Sequence, residues 1–231
     1  MSTAIIVLHY GEQSTTEACL EALYLTVPDV EVVVVDNQGD MPEADVRPGR
    51  NLGFAQGCNA GAMHTNASKL VFLNNDCVPH PGWLWPLAYH LDDAGIGVTG
   101  SLLVYPNGTV QHAGVQVSFT REPGREAWNI DRGAPRSLCR YPRDVPAVTG
   151  ACLAIRSDVF DQLNGFDPGF RNGYEDVDLC LRARDAGYRV VFEPSSVVTH
   201  LESASGPERF QYVSENVARL RNRWARRFVE T

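Results

Sequence analysis

The sequence predicts an α/β fold: a mostly parallel central sheet with helices on both faces, in one compact domain followed by a C-terminal helix. Three observations carry this. The apolar runs, such as AIIVL and VVVV, are strand-sized, and none approaches the length of a membrane span. In the first third they alternate with helix-forming stretches, and strand–helix–strand order requires parallel pairing with crossovers over the sheet faces. At 231 residues with 44% hydrophobic composition, the chain can bury a sizeable core.

STAIIVL reads as a buried strand followed by a loop and a helix, whose start is marked by the capping-box spacing Ser14-Thr15-Thr16-Glu17. EVVVVD is a second buried strand ending on Asp36, and a turn-rich stretch runs from there through Gly39. RNLGFAQGCNAGAMHTN begins as a glycine-containing loop and becomes a small-residue helix. KLVFLNND is a third strand. A helix near Pro81–Asp92 precedes two strand-like runs, IGVTGSLLVY and TVQHAGVQV. Residues 120–144 lack periodicity and hold six arginines, which reads as a long surface loop. VPAVTGACLAI returns to strand, Ser157–Leu163 to a short helix, then come an acidic helix, the RVVFEP strand and VVTH. Ser205-Gly206-Pro207-Glu208 repeats the capping-box spacing and opens the terminal helix.

Composition excludes several classes. A net charge of −8 disfavours non-specific nucleic-acid binding. Residues 216–231 are the exception, with five arginines and one glutamate. The six cysteines are scattered without a CxxC pair, as expected of small buried hydrophobes in a cytoplasmic protein and not of a zinc site. No charged n-region followed by an apolar stretch opens the chain, so no signal peptide is read. HYGEQS follows the first strand, which lacks both the dinucleotide fingerprint and a GxxxxGK[ST] phosphate loop.

Several residues stand where chemistry is possible, each with a plainer alternative. Asp36 ends a parallel strand, where a carboxylate can accept from a ribose hydroxyl or a base N–H, or can form an Asp–Asn turn. Asn74-Asn75-Asp76 ends a buried strand, suiting a hard divalent ion or simply a polar turn. Glu175, Asp176 and Asp178 open a helix, where acids complement its dipole and Asp178 can pair with Arg182. Two adjacent carboxylates also suit a general base, because each raises the pKa of the other. His200 follows a strand; His9, His64, His80, His90 and His112 read as structural.

The motifs RNLGFAQGCNAG, FLNND, GACLAIR, GFDPGF and GYEDVDLCLRARDAGY, in that order, resemble the family 2 glycosyltransferases of GT-A fold, particularly the rhamnosyltransferase-like branch. The resemblance runs from about Ala4 to Ser205. It implies inverting transfer of a sugar from a nucleotide-diphosphate sugar, UDP- or dTDP-linked, to an acceptor hydroxyl. The acceptor would be a glycan, a lipid-linked saccharide, a protein or a modified nucleic acid. The donor nucleotide would be bound by Asp36, Arg50, Asn51, Gly53, Phe54, Asn74 and Asn75. Asp76 and His200 would hold a divalent metal, Mn or Mg, although Asn74 replaces the first acid of the family's DxD motif. Asp176 would be the base, Glu175 would contact the acceptor, and Gly150 and Ala151 would line the sugar pocket.

On this reading residues 1–205 form the transferase domain, with a nucleotide-binding half of about 1–105 and an acceptor half of about 106–205. Arginines of the 120–144 segment would close over the diphosphate. Residues 206–231 form an amphipathic basic helix, with Val213, Val217, Leu220, Trp224 and Phe228 on one face. That helix would pack on the domain with a solvated basic face; a contact with the inner face of the membrane and a homodimer are further readings. Two other functions compete. A nucleotidyltransferase would need a glycine-rich basic signature after the first strand, which HYGEQS lacks. A degenerate domain would bind sugar nucleotide or glycan without transfer, and the joint retention of Asp76, Glu175, Asp176 and His200 argues against it.

Overall fold

The computed structural model describes residues 1–119, 126–202 and 211–228. In chain order its elements are β1 (Thr3–His9), α1 (Gln13–Thr26), β2 (Glu31–Asp36), α2 (Gly53–Ala62), β3 (Lys69–Asn74), β4 (Cys77–Pro79), α3 (Leu84–Tyr89), β5 (Ile96–Val104), β6 (Val110–His112), β7 (Val115–Val117), β8 (Ala127–Asn129), β9 (Arg143–Asp144), β10 (Cys152–Arg156), α4 (Ser157–Gln162), α5 (Glu175–Asp185), β11 (Arg189–His200) and α6 (Val213–Phe228).

The main sheet has the order β2-β1-β3-β10-β5-β11-β4, with β6 on β5 and β9 on β11. β1 pairs in parallel with β2 and β3, and β11 with β5; β10 runs against β3 and β5. Five strands of the sheet therefore share one direction, and β10, β4, β6 and β9 oppose them. Alternation along each strand sends side chains to opposite faces. Ile5 and Val7 pack with Cys19 and Leu23 of α1 and Leu84 and Leu87 of α3. Ile6 and Leu8 pack in a second cluster with Ala55 and Cys58 of α2, Val159 and Phe160 of α4, and α5. Helices on both faces are the arrangement the sequence predicts. All six cysteines are free and buried.

The small residues of α2 let it lie close to the sheet. A Cβ on Gly57 would meet Leu8 at 2.5 Å, and one on Gly61 would meet Ile6 at 2.5 Å and Val35 at 2.8 Å.

Several expectations are corrected. Helix α1 starts at Gln13 behind Glu12 with no side-chain cap, so Ser14 lies inside its first turn, and the Thr16 hydroxyl turns inward to His9 and Asn75. TVQHAGVQV breaks into β6 and β7 at Gly114, whose φ of 99° ends the first strand. VPAVTGACLAI is a strand only from Cys152; before it the chain turns at Gly150, so that Val148 packs over Gly100. The 120–144 segment carries β8, a 3-10 turn at Arg136–Leu138 and β9. Helix α6 starts at Val213, and the Ser205–Glu208 spacing lies outside the described residues.

Helix α6 packs into the same core as the sheet through Leu220 and Trp224, and Val217 is buried beside them on the helix. Its basic face is largely exposed, as the sequence predicts, but most of its arginines are tied to acids. Arg219 and Arg223 bind Asp167, Arg223 also binds the fully buried Asp178, Arg221 binds Glu126, and Arg227 contacts Asp185. Val217, Leu220 and Trp224 of the apolar stripe are buried within the domain. No helix among the described residues is long and apolar enough to cross a membrane.

Candidate active site

A cleft of about 480 Å³ opens at the carboxyl edge of the parallel strands, where an open α/β sheet offers its ligand crevice. The strand ends deliver Leu8 and Tyr10 after β1, Asn37 after β2, Asn74, Asn75 and Asp76 after β3, and His200 at the end of β11. The start of α2 adds Gly53 and Phe54, and the turn before β10 adds Thr149, Gly150 and Ala151. The start of α5 closes the cleft with Asn172, Gly173, Glu175 and Asp176. Eleven of the thirteen site residues expected from sequence stand on this wall.

Asp36 and Arg50 do not. The Asp36 carboxylate accepts from the backbone N–H groups of Gln38, Gly39 and Met41 at 3.1, 2.6 and 3.0 Å. Burial alone would raise its pKa, but these three bonds prevail and hold it below the ordinary carboxylate range. It secures the loop after β2, and Asn37 is the residue this loop presents. Asn37 donates to Asn51 Oδ1 at 2.9 Å and accepts from Leu52 N–H at 2.7 Å, tying the strand end to the start of α2. Arg50 is exposed and lies off the cleft wall. Among the described arginines of the 120–144 segment none lines the cleft: Arg143 is held by Asp131 and Ala113 O, and Arg140 by Ser137 O.

Asp76 and His200 meet because β11 pairs antiparallel with β4, setting His200 opposite Cys77. His200 Nε2 lies 3.1 Å from Asp76 Oδ1 and 3.5 Å from the Asn74 amide. Cys77 is close enough to join them in a cluster. However, burial pushes its thiol well above the ordinary range, and Sγ–H donates to Ala151 O, so it is no thiolate ligand. The remaining oxygen–nitrogen pair fits a divalent ion. Adjacent ligands of an octahedral ion bound at about 2.1 Å stand about 3 Å apart, which is the separation seen here.

Across the cleft, the two acids of α5 differ. Tyr174, the residue before them, has a φ of 70°, a left-handed conformation uncommon for an aromatic residue, and Gly173 before it has a φ of 146°. This turn aims Glu175 and Asp176 at the cleft. Glu175 is buried and accepts one backbone bond, from Gly173 N–H at 2.6 Å. Burial, then the Asp176 charge, raise its carboxyl to about 8. Asp176 is also raised by burial, against two backbone donors that favour its ionised form: Gly150 N–H at 2.8 Å and Val177 N–H at 2.7 Å. Two buried carboxyls side by side, both raised, resist carrying two charges at once.

Asp176 also lines a second cavity of about 380 Å³, which shares Thr149 and Gly173 with the first. Trp128, Asn129, Arg132 and Tyr174 form its outer wall. Sequence reasoning missed Tyr10, Asn37, Thr149, Asn172, Gln211 and Tyr212 on the cleft, and Trp128 on the second cavity. None sits in a motif, and only the fold brings them together.

The description "Glycosyltransferase like family 2" matches residues 1–227. The chain is 38% identical over 151 residues to an O-antigen biosynthesis protein of Myxococcus xanthus, covering 64% of this chain and 12% of that one. It is 27% identical over 197 residues to a pre-mycofactocin glycosyltransferase of Mycobacterium tuberculosis, covering 78% of this chain and 39% of the relative. The chain thus spans well under half the length of these relatives. Among solved structures, GalNAc-T7 with UDP, GalNAc and Mn2+ superposes with a TM-score of 0.74 at 19% identity, over 95% of this chain and 48% of the other. That likeness identifies the fold as GT-A.

Proposed function

The chain belongs to the family 2 glycosyltransferases, and from that premise we propose that it transfers a sugar with inversion, in a metal-dependent reaction, from a nucleotide diphosphate to an acceptor hydroxyl. One observation carries the reading: Asp176 stands on the common wall of two cavities, and the Asp76–His200 pair lines the larger one. The larger cavity receives the donor and the smaller one the acceptor, so their reacting atoms meet at Asp176. Residues before 105 and residues after it contribute about equally to the wall of the donor cavity.

Asp176 accepts the proton of the acceptor hydroxyl as that oxygen bonds to the anomeric carbon and the bond from that carbon to the diphosphate breaks. Attack from the face opposite the leaving group inverts the centre. Burial makes Asp176 a stronger base, while the Gly150 and Val177 N–H groups fix its orientation. Glu175, protonated at neutral pH, donates a hydrogen bond to a sugar hydroxyl without adding a second charge. Asp76 and His200 would hold a divalent ion, which supplies Lewis acidity and charge compensation at the leaving phosphate. The UDP and Mn2+ bound by the GalNAc-T7 neighbour support a nucleotide-sugar donor and a metal, with UDP- or dTDP-sugars as first candidates. The rings of Trp128 and Tyr174, beside the Asn129 amide, favour a saccharide as the acceptor group that docks.

The test is thermal stabilisation by UDP, dTDP, GDP and CDP, each with and without Mn2+ or Mg2+. A ligand that binds only the folded state raises the melting temperature. One nucleotide stabilising only in the presence of metal is the expected result. No stabilisation by any of them would leave the degenerate domain as the better reading.

A further inference from the structure

Strand β6 is three residues long, wholly buried, and set at the side of β5. Its central residue, Gln111, is 4% exposed and lies on neither of the two cavity walls described above. Both ends of its amide are used on one histidine. Nε2 donates to the His200 carbonyl at 3.2 Å, and Oε1 faces His200 Nδ1 at 2.6 Å.

These two contacts determine where the imidazole carries its proton. A backbone carbonyl only accepts, so the amide must turn its nitrogen toward it. The amide oxygen then faces Nδ1 and can only accept, so Nδ1 must hold a hydrogen. In the neutral ring Nε2 is consequently bare, with its lone pair directed at the side where Asp76 Oδ1 stands 3.1 Å away. The Asn74 amide, 3.5 Å from Nε2, is also a donor and agrees with that assignment. A bare Nε2 beside a carboxylate oxygen is a donor set for a cation.

We propose that Gln111 is a positioning residue that locks His200 in the Nδ1–H tautomer and so prepares Nε2 to bind a divalent ion. The proposal rests on the reading of Asp76 and His200 as metal ligands. Gln111 touches neither metal nor sugar in this role; it acts through the imidazole. Partners of this kind fix ring orientation and raise ligand basicity, and their loss weakens metal affinity roughly 10–100-fold.

The test measures Mn2+ binding alone by isothermal titration calorimetry, on the full chain, with no sugar or acceptor needed. In Gln111→Leu the affinity should fall roughly 10–100-fold while the far-UV spectrum and the apo melting transition stay cooperative. Gln111→Glu keeps an acceptor for Nδ1–H, though it loses the donor to the His200 carbonyl, and should bind Mn2+ more tightly than Gln111→Leu. A buried apolar replacement would leave that difference unexplained if Gln111 served packing only. Equal affinity in the wild type and a folded Gln111→Leu overturns the proposal, as does a Gln111→Glu variant as weak as the leucine one. His200→Ala separates the two claims. Should it leave Mn2+ binding intact, the metal reading itself fails; should it abolish binding while Gln111→Leu does not weaken it, only the role of Gln111 fails.

Discussion

Two acids two residues apart on α5 have opposite fates. Asp176 faces the cleft with backbone N–H partners and no ion pair among the described residues. Asp178 is fully buried and receives Arg182 at 2.7 Å, Arg223 at 2.8 and 2.9 Å, and the Trp224 indole N–H at 2.9 Å. Two residues along a helix turn about 200°, so one short acidic run supplies both faces. The side toward the cleft keeps its charge available, and the side toward α6 has its charge consumed. Identical chemistry thus becomes a base in one place and a fastening in the other, decided by which partners each face meets.

Substitution at these positions tests that division. Asp176→Asn should have the largest effect, lowering kcat by roughly 10²–10⁴-fold, the usual range for a lost general base. Nucleotide- and metal-dependent thermal stabilisation should persist, and a variant with unchanged turnover would remove Asp176 from the chemistry. Asp178→Ala should do the reverse. It strands the Arg182 and Arg223 charges beside a buried site, a loss of about 3–5 kcal/mol in a urea denaturation series. Any activity lost should track the unfolded fraction.

Glu175→Gln sharpens the comparison through pH. The folded-state pKa of Glu175 is raised from 4.5 to about 8, so between those values the folded chain holds a proton that the unfolded chain has released. Wild-type stability therefore declines as pH rises through that window. The glutamine variant should lack this component, and its urea midpoint should gain on the wild type from about pH 5 to about pH 8. Asp167 supplies a contrast. Burial would raise it, but the bonds from Arg219, Gly169 N–H and Arg223 hold it down to about 2. Its contribution is present above the unfolded carboxylate range and is lost as pH falls toward about 2. The smallest effect belongs to Arg226→Ala. Arg226 is exposed, with no ion pair among the described residues, and its loss should change stability by no more than about 0.5 kcal/mol.

Much of this was legible beforehand because strands and motifs are local. AIIVL, EVVVVD and KLVFLNND declare themselves by composition, and a parallel sheet delivers their ends to one edge, which is why Asn74, Asn75, Asp76 and His200 come together. Helix α5 was marked by its acids. What stayed hidden depends on contacts distant in sequence. Asp36 at a strand end invites a ligand role, but three N–H groups of the following loop satisfy it and Asn37 faces the cleft instead. Asp178 could be paired with Arg182 by spacing, yet nothing local announced Arg223, 45 residues away. His112 and Gln111 carry no motif. His112 is buried and accepts from Thr149 N–H at 3.4 Å, in the turn that holds Asp176 through Gly150. Burial lowers its pKa to about 4, which keeps it neutral for that bond. The terminal helix is a related case: its arginine-rich face is exposed as it reads, but the acids it pairs with, Asp167, Asp178 and Glu126, are distant in sequence.

The tight seating of α2 bears on how such a scaffold can be redesigned. Gly57 and Gly61 leave no room for even a methyl group against Leu8, Ile6 and Val35, so the helix has no outward path that a point mutation could open. Its first residues, Gly53 and Phe54, border the donor cleft. Remodelling for a bulkier nucleotide or sugar would therefore have to trim side chains such as Asn37, Phe54 or Asn172, because the wall behind them is fixed in place. Libraries that spend their diversity on those three positions would sample new donors; diversity spent on Gly57 and Gly61 would mostly sample unfolded chains.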